Sequence, residues 1–214
     1  VSGSPLGLVV LISGRGSNLQ AIMEAIARGA LPAEIRAVIS NRPDAYGLER
    51  ARQAGIPTEV LDHKEYPTRL EYDRALAALI DRYAPDLVVL AGFMRILSPK
   101  FVAHYRGRAL NIHPSLLPAF PGLDTHRRAL QAGLREHGAS VHFVTEEVDG
   151  GPVLIQARVP VLPNDTPESL ADRVLEKEHL IYPTAIRWYA QGRVRLEGDT
   201  IYLDDKPLDT PLIV

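Results

Sequence analysis

The stretch Leu8-Val9-Val10-Leu11-Ile12-Ser13-Gly14-Arg15-Gly16-Ser17-Asn18-Leu19-Gln20 decides the fold. A short apolar, β-branched run ended by Ser13-Gly14 predicts a buried strand. Behind the turn, Leu19, Ile22, Met23 and Ile26 recur at i, i+3, i+4 and i+7, one apolar face of a helix. Ser17 and Gln20 stand at capping-box spacing, so the helix is expected to begin at Ser17, and Gly29 fits its end.

The same alternation continues outward. A strand is expected over 35–40, a short helix over 47–54 and a strand over 58–61. Leu70, Leu76, Leu79, Ile80 and Tyr83 stripe a longer helix. The most apolar strand, 86–91, is expected to be central, and another, 108–112, is closed by Pro114. Near-continuous apolar strands separated by helices imply an α/β fold, a mostly parallel twisted sheet with helices on both faces. After about residue 137 the pattern changes. Residues 139–145 and 152–160 read as strands around Asp149-Gly150-Gly151, a hairpin or antiparallel extension of the sheet. Thr166-Pro167 predicts an N-cap and first turn, with Val174, Leu175 and Ile181 on one helix face and Pro183 ending or kinking the helix. Residues 193–203 read as a small hairpin, and the last residues carry no signal.

Length and composition narrow the function classes. At 214 residues the chain fits one domain, or one with an extension, at roughly 150 residues each. We take residues 1–214 as a single domain with parts at 8–112, 113–190 and a tail at 191–214. The absence of cysteine excludes disulfide frameworks, thiolate metal sites and thiol nucleophiles. A net charge of −2 argues against a nucleic-acid partner. No run approaches 18 apolar residues, and residues 1–7 do not read as a signal peptide, so a cytoplasmic protein without a membrane span is expected.

Six places could do chemistry. The turn Ser13 to Asn18 leads into a helix N-terminus, where backbone N–H groups and glycine favour a phosphate; a tight turn with no ligand is the alternative. A dinucleotide fits less well, because Leu19 replaces the third glycine of that fingerprint, although Arg42 leaves room for a phosphorylated one. Asn111 and His113 lie two apart on a strand, so they project to one side at its C-terminal end, where ligands of parallel sheets gather. An amide donor and an imidazole together suit a carbonyl that becomes an oxyanion, or else hold the following proline-rich loop. Asp149 is either a partly desolvated proton relay or a turn residue bonding its own backbone. His142 shares a strand face with Ser140 and Val144 and could point into the same cleft. Glu178, inside an apolar helix stripe, needs a partner or a pocket, and could meet a substrate amine or lie at a solvent edge. Gly92-Phe93-Met94-Arg95-Ile96-Leu97 follows the most apolar strand and could clamp a flat heterocycle or simply cap the core. No ligand-pair spacing links His113, His142 and Asp149, so no metal is expected.

Together these segments resemble the phosphoribosylglycinamide formyltransferases, the folate-dependent formyl transferases of purine synthesis, over roughly Leu8 to Tyr189. The resemblance rests on Val10 to Gly14, Gly16 to Gln20, Gly47 to Arg52, Leu90 to Pro99, Leu110-Asn111-Ile112-His113-Pro114-Ser115-Leu116-Leu117-Pro118, Gly138 to Val144 and Asp149-Gly150-Gly151-Pro152. The Asn-x-His-Pro block is common to enzymes using 10-formyltetrahydrofolate; the glycine-rich entry, the Met-Arg-Ile-Leu segment and Glu178-His179 narrow it. The resemblance implies a seven-stranded sheet with a Rossmann-like N-terminal half. It implies that Gly16, Ser17, Asn18 and Glu178 bind glycinamide ribonucleotide. Arg69, Met94, Arg95, Ile96, Leu97, Asn111, Thr145, Glu146, Glu147, Val148 and Asp149 would bind folate. Asn111, His113 and Asp149 would be catalytic, with His142 in support. It further implies 10-formyltetrahydrofolate as co-substrate, no metal, and a monomer or homodimer acting on small molecules. Asp124 departs from the histidine that many relatives carry, and the simple reading is that it caps a helix starting near Thr125. The rival readings are a formyltransferase or deformylase acting on another substrate, and an NADP-binding oxidoreductase.

Overall fold

β1 (Leu6–Ile12) is buried from its second residue onward, as a strand covered on both faces must be. The computed structural model describes residues 3–214; the expectation for residues 1–7 rests in part on Val1 and Ser2, which lie outside the described residues. In the first compact unit, which runs to Leu110, β2 (Ala33–Ser40), β3 (Thr58–Val60) and β4 (Leu87–Leu90) join β1 in the order β4-β1-β2-β3. Every pair is parallel. β4 is buried throughout and flanked by β1 on one side and, through the Val88 N–H to the Arg108 carbonyl at 2.9 Å, by the chain entering the next strand on the other. Its central place follows from its composition.

The crossovers carry α1 (Ser17–Ala27), α2 (Tyr46–Gln53), a 3-10 turn at His63–Glu65 and α3 (Arg69–Arg82); α4 (Pro99–His104) follows β4. α1 begins at Ser17, but not by a capping box. Its N-cap is Gly16 in the left-handed region at φ 75°, and the Gln20 side chain reaches forward to Glu24 instead of back. A β-carbon on Gly16 would fall 2.6 Å from the Gly47 Cα, so close approach of the two helix starts selects glycine there over a side-chain cap. At the other end Gly29, at φ 77°, donates to Ile26 and Ala30 donates to Ala25, which closes the helix as its glycine suggests. The buried face of α3 is Tyr72, Asp73, Leu76 and Ile80, while Leu70 is exposed. The expected stripe was out of phase at its start, because the Thr68 hydroxyl caps the helix by accepting from Glu71 and so fixes which residues follow the core. α4 was not foreseen: six residues are too short for periodicity, although Ser98-Pro99 is a cap and first-turn signal.

The second unit spans Asn111–Val214. It contains most of β5 (Ala109–His113), then α5 (Thr125–Gln131), β6 (Glu136–Phe143), β7 (Val153–Pro160) and α6 (Pro167–Ala190). A small antiparallel sheet of β8 (Val194–Glu197), β9 (Thr200–Leu203) and β10 (Lys206–Pro207) follows. β11 (Leu212–Ile213) then pairs in parallel with β7, so residues that carry no sequence signal complete the order β5-β6-β7-β11. β6 and β7 are antiparallel, as the change of pattern implies, with a register shift between Val141 and His142. Among the described residues the strands outside the small sheet number eight, four in each order, against the seven implied; the eighth, β11, is two residues long.

α6 starts as expected. Thr166 and Ser169 exchange capping-box hydrogen bonds, and Pro167 takes the first turn. Asp165, beside the cap, is gripped by both Arg173 nitrogens at 2.7 and 2.9 Å, which holds its carboxyl well below the usual range. Pro183 does not end the helix, which runs on to Ala190. Buried side chains on both sides of it, from Leu170 and Val174 to Ala185 and Ile186, outweigh the cost of about 3 kcal/mol that an internal proline brings.

Gly16→Ala tests the glycine contact. A left-handed alanine costs about 1–2 kcal/mol, and the clash with Gly47 adds to it. Urea unfolding should show a loss of at least about 2 kcal/mol; an unchanged midpoint would contradict the packing described.

Candidate active site

His113 ends β5 with its side chain 7% exposed and both ring nitrogens engaged. Nε2 lies 2.8 Å from the Phe120 carbonyl, an acceptor only, so Nε2 carries a proton. Nδ1 faces Asp149 Oδ1 at 3.5 Å. A carboxylate also only accepts, so a hydrogen bond across that gap needs a proton on one of the two facing atoms. The other Asp149 oxygen, Oδ2, accepts from the Gly122 N–H at 2.8 Å. Asp149 therefore does not bond its own turn. It sits in the left-handed region at φ 53°, inside a turn closed by the Gly150 N–H to the Glu147 carbonyl, and that conformation directs its carboxylate to residues far along the chain.

Asn111, two residues before His113, is tied to His142. The His142 Nδ1 lies 2.9 Å from the Phe143 carbonyl and must donate to it, which leaves Nε2 as an acceptor. Asn111 Nδ2 lies 3.1 Å from that Nε2 and donates to it. The chain of bonds fixes the orientation of the Asn111 amide and leaves its second N–H and its oxygen for a ligand. Burial lowers the His142 pKa, against opposing contributions from the Phe143 carbonyl and Asp149, while His113 adds to the lowering. The neutral imidazole that the bond pattern needs is the form its surroundings favour. These influences also place Asn111, His113, His142 and Asp149 in one cluster. The register shift beside His142 is the kind of bulge that re-aims a side chain.

The loop after His113 is held by buried polar groups. The Ser140 hydroxyl donates to the Ser115 carbonyl at 2.7 Å and accepts from the Leu117 N–H and from Gln156 Nε2, each at 3.0 Å. Gln156 also donates to the Leu117 carbonyl at 2.7 Å, and the Thr125 hydroxyl to Pro114 at 2.5 Å. The Leu117–Pro118 peptide is cis. A second histidine pair lies alongside. His126 Nδ1 and His137 Nε2 are 3.1 Å apart, and His137 meets the edge of the Phe120 ring. Burial, with His126 and His113 nearby, pushes His137 down to about 4; burial also lowers His126, partly offset by Asp124. Asp124 is the residue before α5, but its side chain makes no capping bond. It adopts φ 58° and pairs with Arg127 at 3.3 Å, so the capping expectation is corrected.

The remaining expected residues fall as follows. Glu178 is buried on α6. Thr145 is half-buried, and Glu146, Glu147 and Val148 are exposed ahead of Asp149. In the first unit, Gly16, Ser17 and Asn18 form the start of α1, with Asn18 buried. Arg69 is exposed at the start of α3. Met94 and Ile96 are exposed on a segment without helix or strand, whose Met94 N–H donates to the Ser13 hydroxyl at 2.8 Å. A cavity of about 550 Å³ is lined by Asn41, Arg42, His63, Lys64, Met94 and Arg95. Another in the second unit, of about 350 Å³, is lined by Asp149 to Val153 with Leu117, Pro118, Ile201 and Leu208. Among the described residues no group of three or more histidine and acidic side chains is placed to hold a metal ion, and no helix is long and apolar enough to cross a membrane. Sequence reasoning missed the Phe120 carbonyl, the Gly122 N–H and the His126–His137 pair. The first two are backbone groups, whose only trace is a loop rich in proline and glycine.

Comparison with known proteins supplies the chemical context. Residues 6–186 match the family model described as formyl transferase. The chain is 57% identical over 203 residues to phosphoribosylglycinamide formyltransferase of Escherichia coli, covering 95% of this chain and 96% of that protein. It is 47% identical over 189 residues to the human trifunctional purine biosynthetic protein adenosine-3, covering 88% of this chain and 19% of that protein. Among solved structures it is similar to the phosphoribosylglycinamide formyltransferase of Coxiella burnetii, at 55% identity and a TM-score of 0.93, covering 97% of this chain and 99% of that one.

The lowered histidines make stability depend on pH. Unfolded, a histidine titrates near about 6.5; folded, His137 does so at about 4. Between those values the unfolded chain binds a proton that the native protein does not, so stability falls as pH drops through the window. His126 and His142 act in the same direction. In urea unfolding across that range, His137→Gln should flatten the slope by up to one proton, about 1.4 kcal/mol per pH unit; parallel slopes would contradict it.

Proposed function

The chain belongs to the formyl transferase family as a phosphoribosylglycinamide formyltransferase, and we propose that Asn111, His113 and Asp149 carry out its reaction. That reaction moves the formyl group of 10-formyltetrahydrofolate to the amine of glycinamide ribonucleotide, in purine biosynthesis. The amine attacks the formyl carbon, and the carbonyl oxygen becomes an oxyanion. The free N–H of Asn111 and the Nε2–H of His113 are the donors turned to it, so the Phe120 carbonyl is the group that the formyl oxygen displaces from His113. Asp149 takes the amine's proton and passes it, with His113 and water, toward the departing N10. The attacking amine is already a nucleophile and the leaving nitrogen needs only a proton, so no metal takes part.

The observation that carries this reading is the His142 lock on Asn111. A donor fixed before substrate arrives costs no reorganisation during reaction, and one such donor is worth about 3 kcal/mol, about a hundredfold in rate. Gly16, Ser17 and Asn18 hold the ribonucleotide phosphate, where a helix N-terminus offers backbone N–H groups to an anion. Glu178 meets the sugar or glycinamide part of that substrate. Met94 to Leu97 and Thr145 to Asp149 bind the pterin, together with Asn111, and Arg69 lies by the glutamate tail. In this reading residues 8–112 are the phosphate-binding half, which also carries Arg69, Met94 to Leu97 and Asn111, residues 113–190 are the half with His113, Asp149 and the other folate groups, and 191–214 form a hairpin and tail. It also places the enzyme in the cytoplasm as a monomer or homodimer, without a nucleic-acid or membrane partner.

His113→Ala should cut turnover at least about a hundredfold while ribonucleotide still binds; near-normal turnover would remove His113 from the chemistry. Replacing Ser17 and Asn18 together should raise KM for the ribonucleotide far more than for folate, and equal changes would move the phosphate site elsewhere.

A further inference from the structure

The segment 93–98 between β4 and α4 has no helix or strand to define its shape. Three contacts within the first unit define it instead. At its near end, the Met94 N–H donates to Ser13 at 2.8 Å. At its far end, the Ser98 N–H donates to Asp73 Oδ2 at 2.6 Å, in a bond buried on α3. Between them, the Arg95 guanidinium lies over the Tyr72 ring, 4.6 Å from its centre. That ring is fixed in turn, for the Tyr72 hydroxyl donates to the Leu61 carbonyl at 2.9 Å.

Asp73 is a costly residue to keep in this place. It is 2% exposed, and its second oxygen, Oδ1, has no hydrogen-bond partner among the described residues; nor has Arg95 Nε. A neutral amide would accept the Ser98 N–H with far less desolvation. The carboxylate makes a charge-assisted bond to the Ser98 N–H, stronger than a neutral amide's, and Arg95 and Asp73 both act on the Tyr72 phenol, in opposite senses. The hydrogen bond of Asp73 is directed at the end of this segment, Ser98. It does not tie α3 to β1 or β4.

We propose that Asp73, acting with the ring of Tyr72, is a positioning residue for folate recognition: it holds segment 93–98 in the one shape in which Met94 to Leu97 present their backbone and outward side chains to the flat pterin. The proposal rests on the assignment of residues 94–97 to folate. Neither Asp73 nor Tyr72 touches a substrate. Pre-forming the segment removes the ordering cost that folate binding would otherwise carry.

Steady-state kinetics on the full chain test this. Asp73→Ala should raise KM for 10-formyltetrahydrofolate tenfold or more, with kcat and KM for glycinamide ribonucleotide changed less than twofold. Asp73→Asn, which keeps an acceptor for the Ser98 N–H but loses the charge that strengthens the bond, should recover part of the loss. An unmoved folate KM, or equal rises in both Michaelis constants, overturns the proposal. Should Asp73→Ala fail to fold, Tyr72→Leu removes the ring under Arg95 and should raise the folate KM about fivefold with the same split; no change there overturns it as well. Ile96→Gln separates the two layers. If it leaves the folate KM unmoved, the folate assignment and the proposal fall together; if it raises that KM while Asp73→Ala does not, the proposal alone fails.

Discussion

Both nitrogens of His113 are already engaged, and the rest of the second unit is arranged around that constraint. The Phe120 carbonyl takes the Nε2 proton, and Asp149 faces Nδ1. Asp149 in turn is held by the Gly122 N–H, so the imidazole lies between the Phe120 carbonyl of one loop and the carboxylate of another, which the first loop also anchors. An imidazole held in this way has one ring orientation. It can exchange one acceptor for another without turning, as the proposed replacement of the Phe120 carbonyl by the formyl oxygen requires.

The bracket depends on loops, and the loops depend on strands. Ser140 on β6 and Gln156 on β7 supply the acceptor and donors that fix Ser115 and Leu117. Removing a partner from such a buried set costs about 1–3 kcal/mol, because the group left behind is neither bonded nor hydrated. Phe120, Asp124 and Asp149 all occupy the left-handed region, where an L-residue is strained. Buried polar pins on regular elements offset that strain and aim the strained residues. On the opposite side of Asn111 the same logic recurs. His142 is kept neutral by burial, so the amide beside it has one arrangement rather than two.

The strands were legible because burial on both faces leaves a residue pattern that little else produces: Leu8 to Ile12 and Leu87 to Leu90 read as strands from composition alone. Caps were legible where a side chain makes the bond, as at Thr166, and illegible where a backbone contact decides, as at Gly16. Asn111 and His113 could be paired from strand period, whereas the residues around Asp149 left a proton relay and a turn residue as alternatives, and only its bond to Gly122 shows that its carboxylate leaves its own turn. The resemblance named the set proposed to react, but the groups bonded to it, Phe120 and Gly122, act through their peptide bonds and leave no side-chain signature. Pro183 shows the converse error. A local rule predicts a break, and tertiary packing along twenty-four residues overrides it.

A double-mutant cycle on turnover between His113 and Asp149 tests the central claim most directly, because it asks whether the two groups act on one transition state. If they do, losing both should cost little more than losing the more damaging one alone, within a few-fold. Losses that multiply as independent factors would show that imidazole and carboxylate serve separate steps, and the bracketed pair would not be the reacting unit.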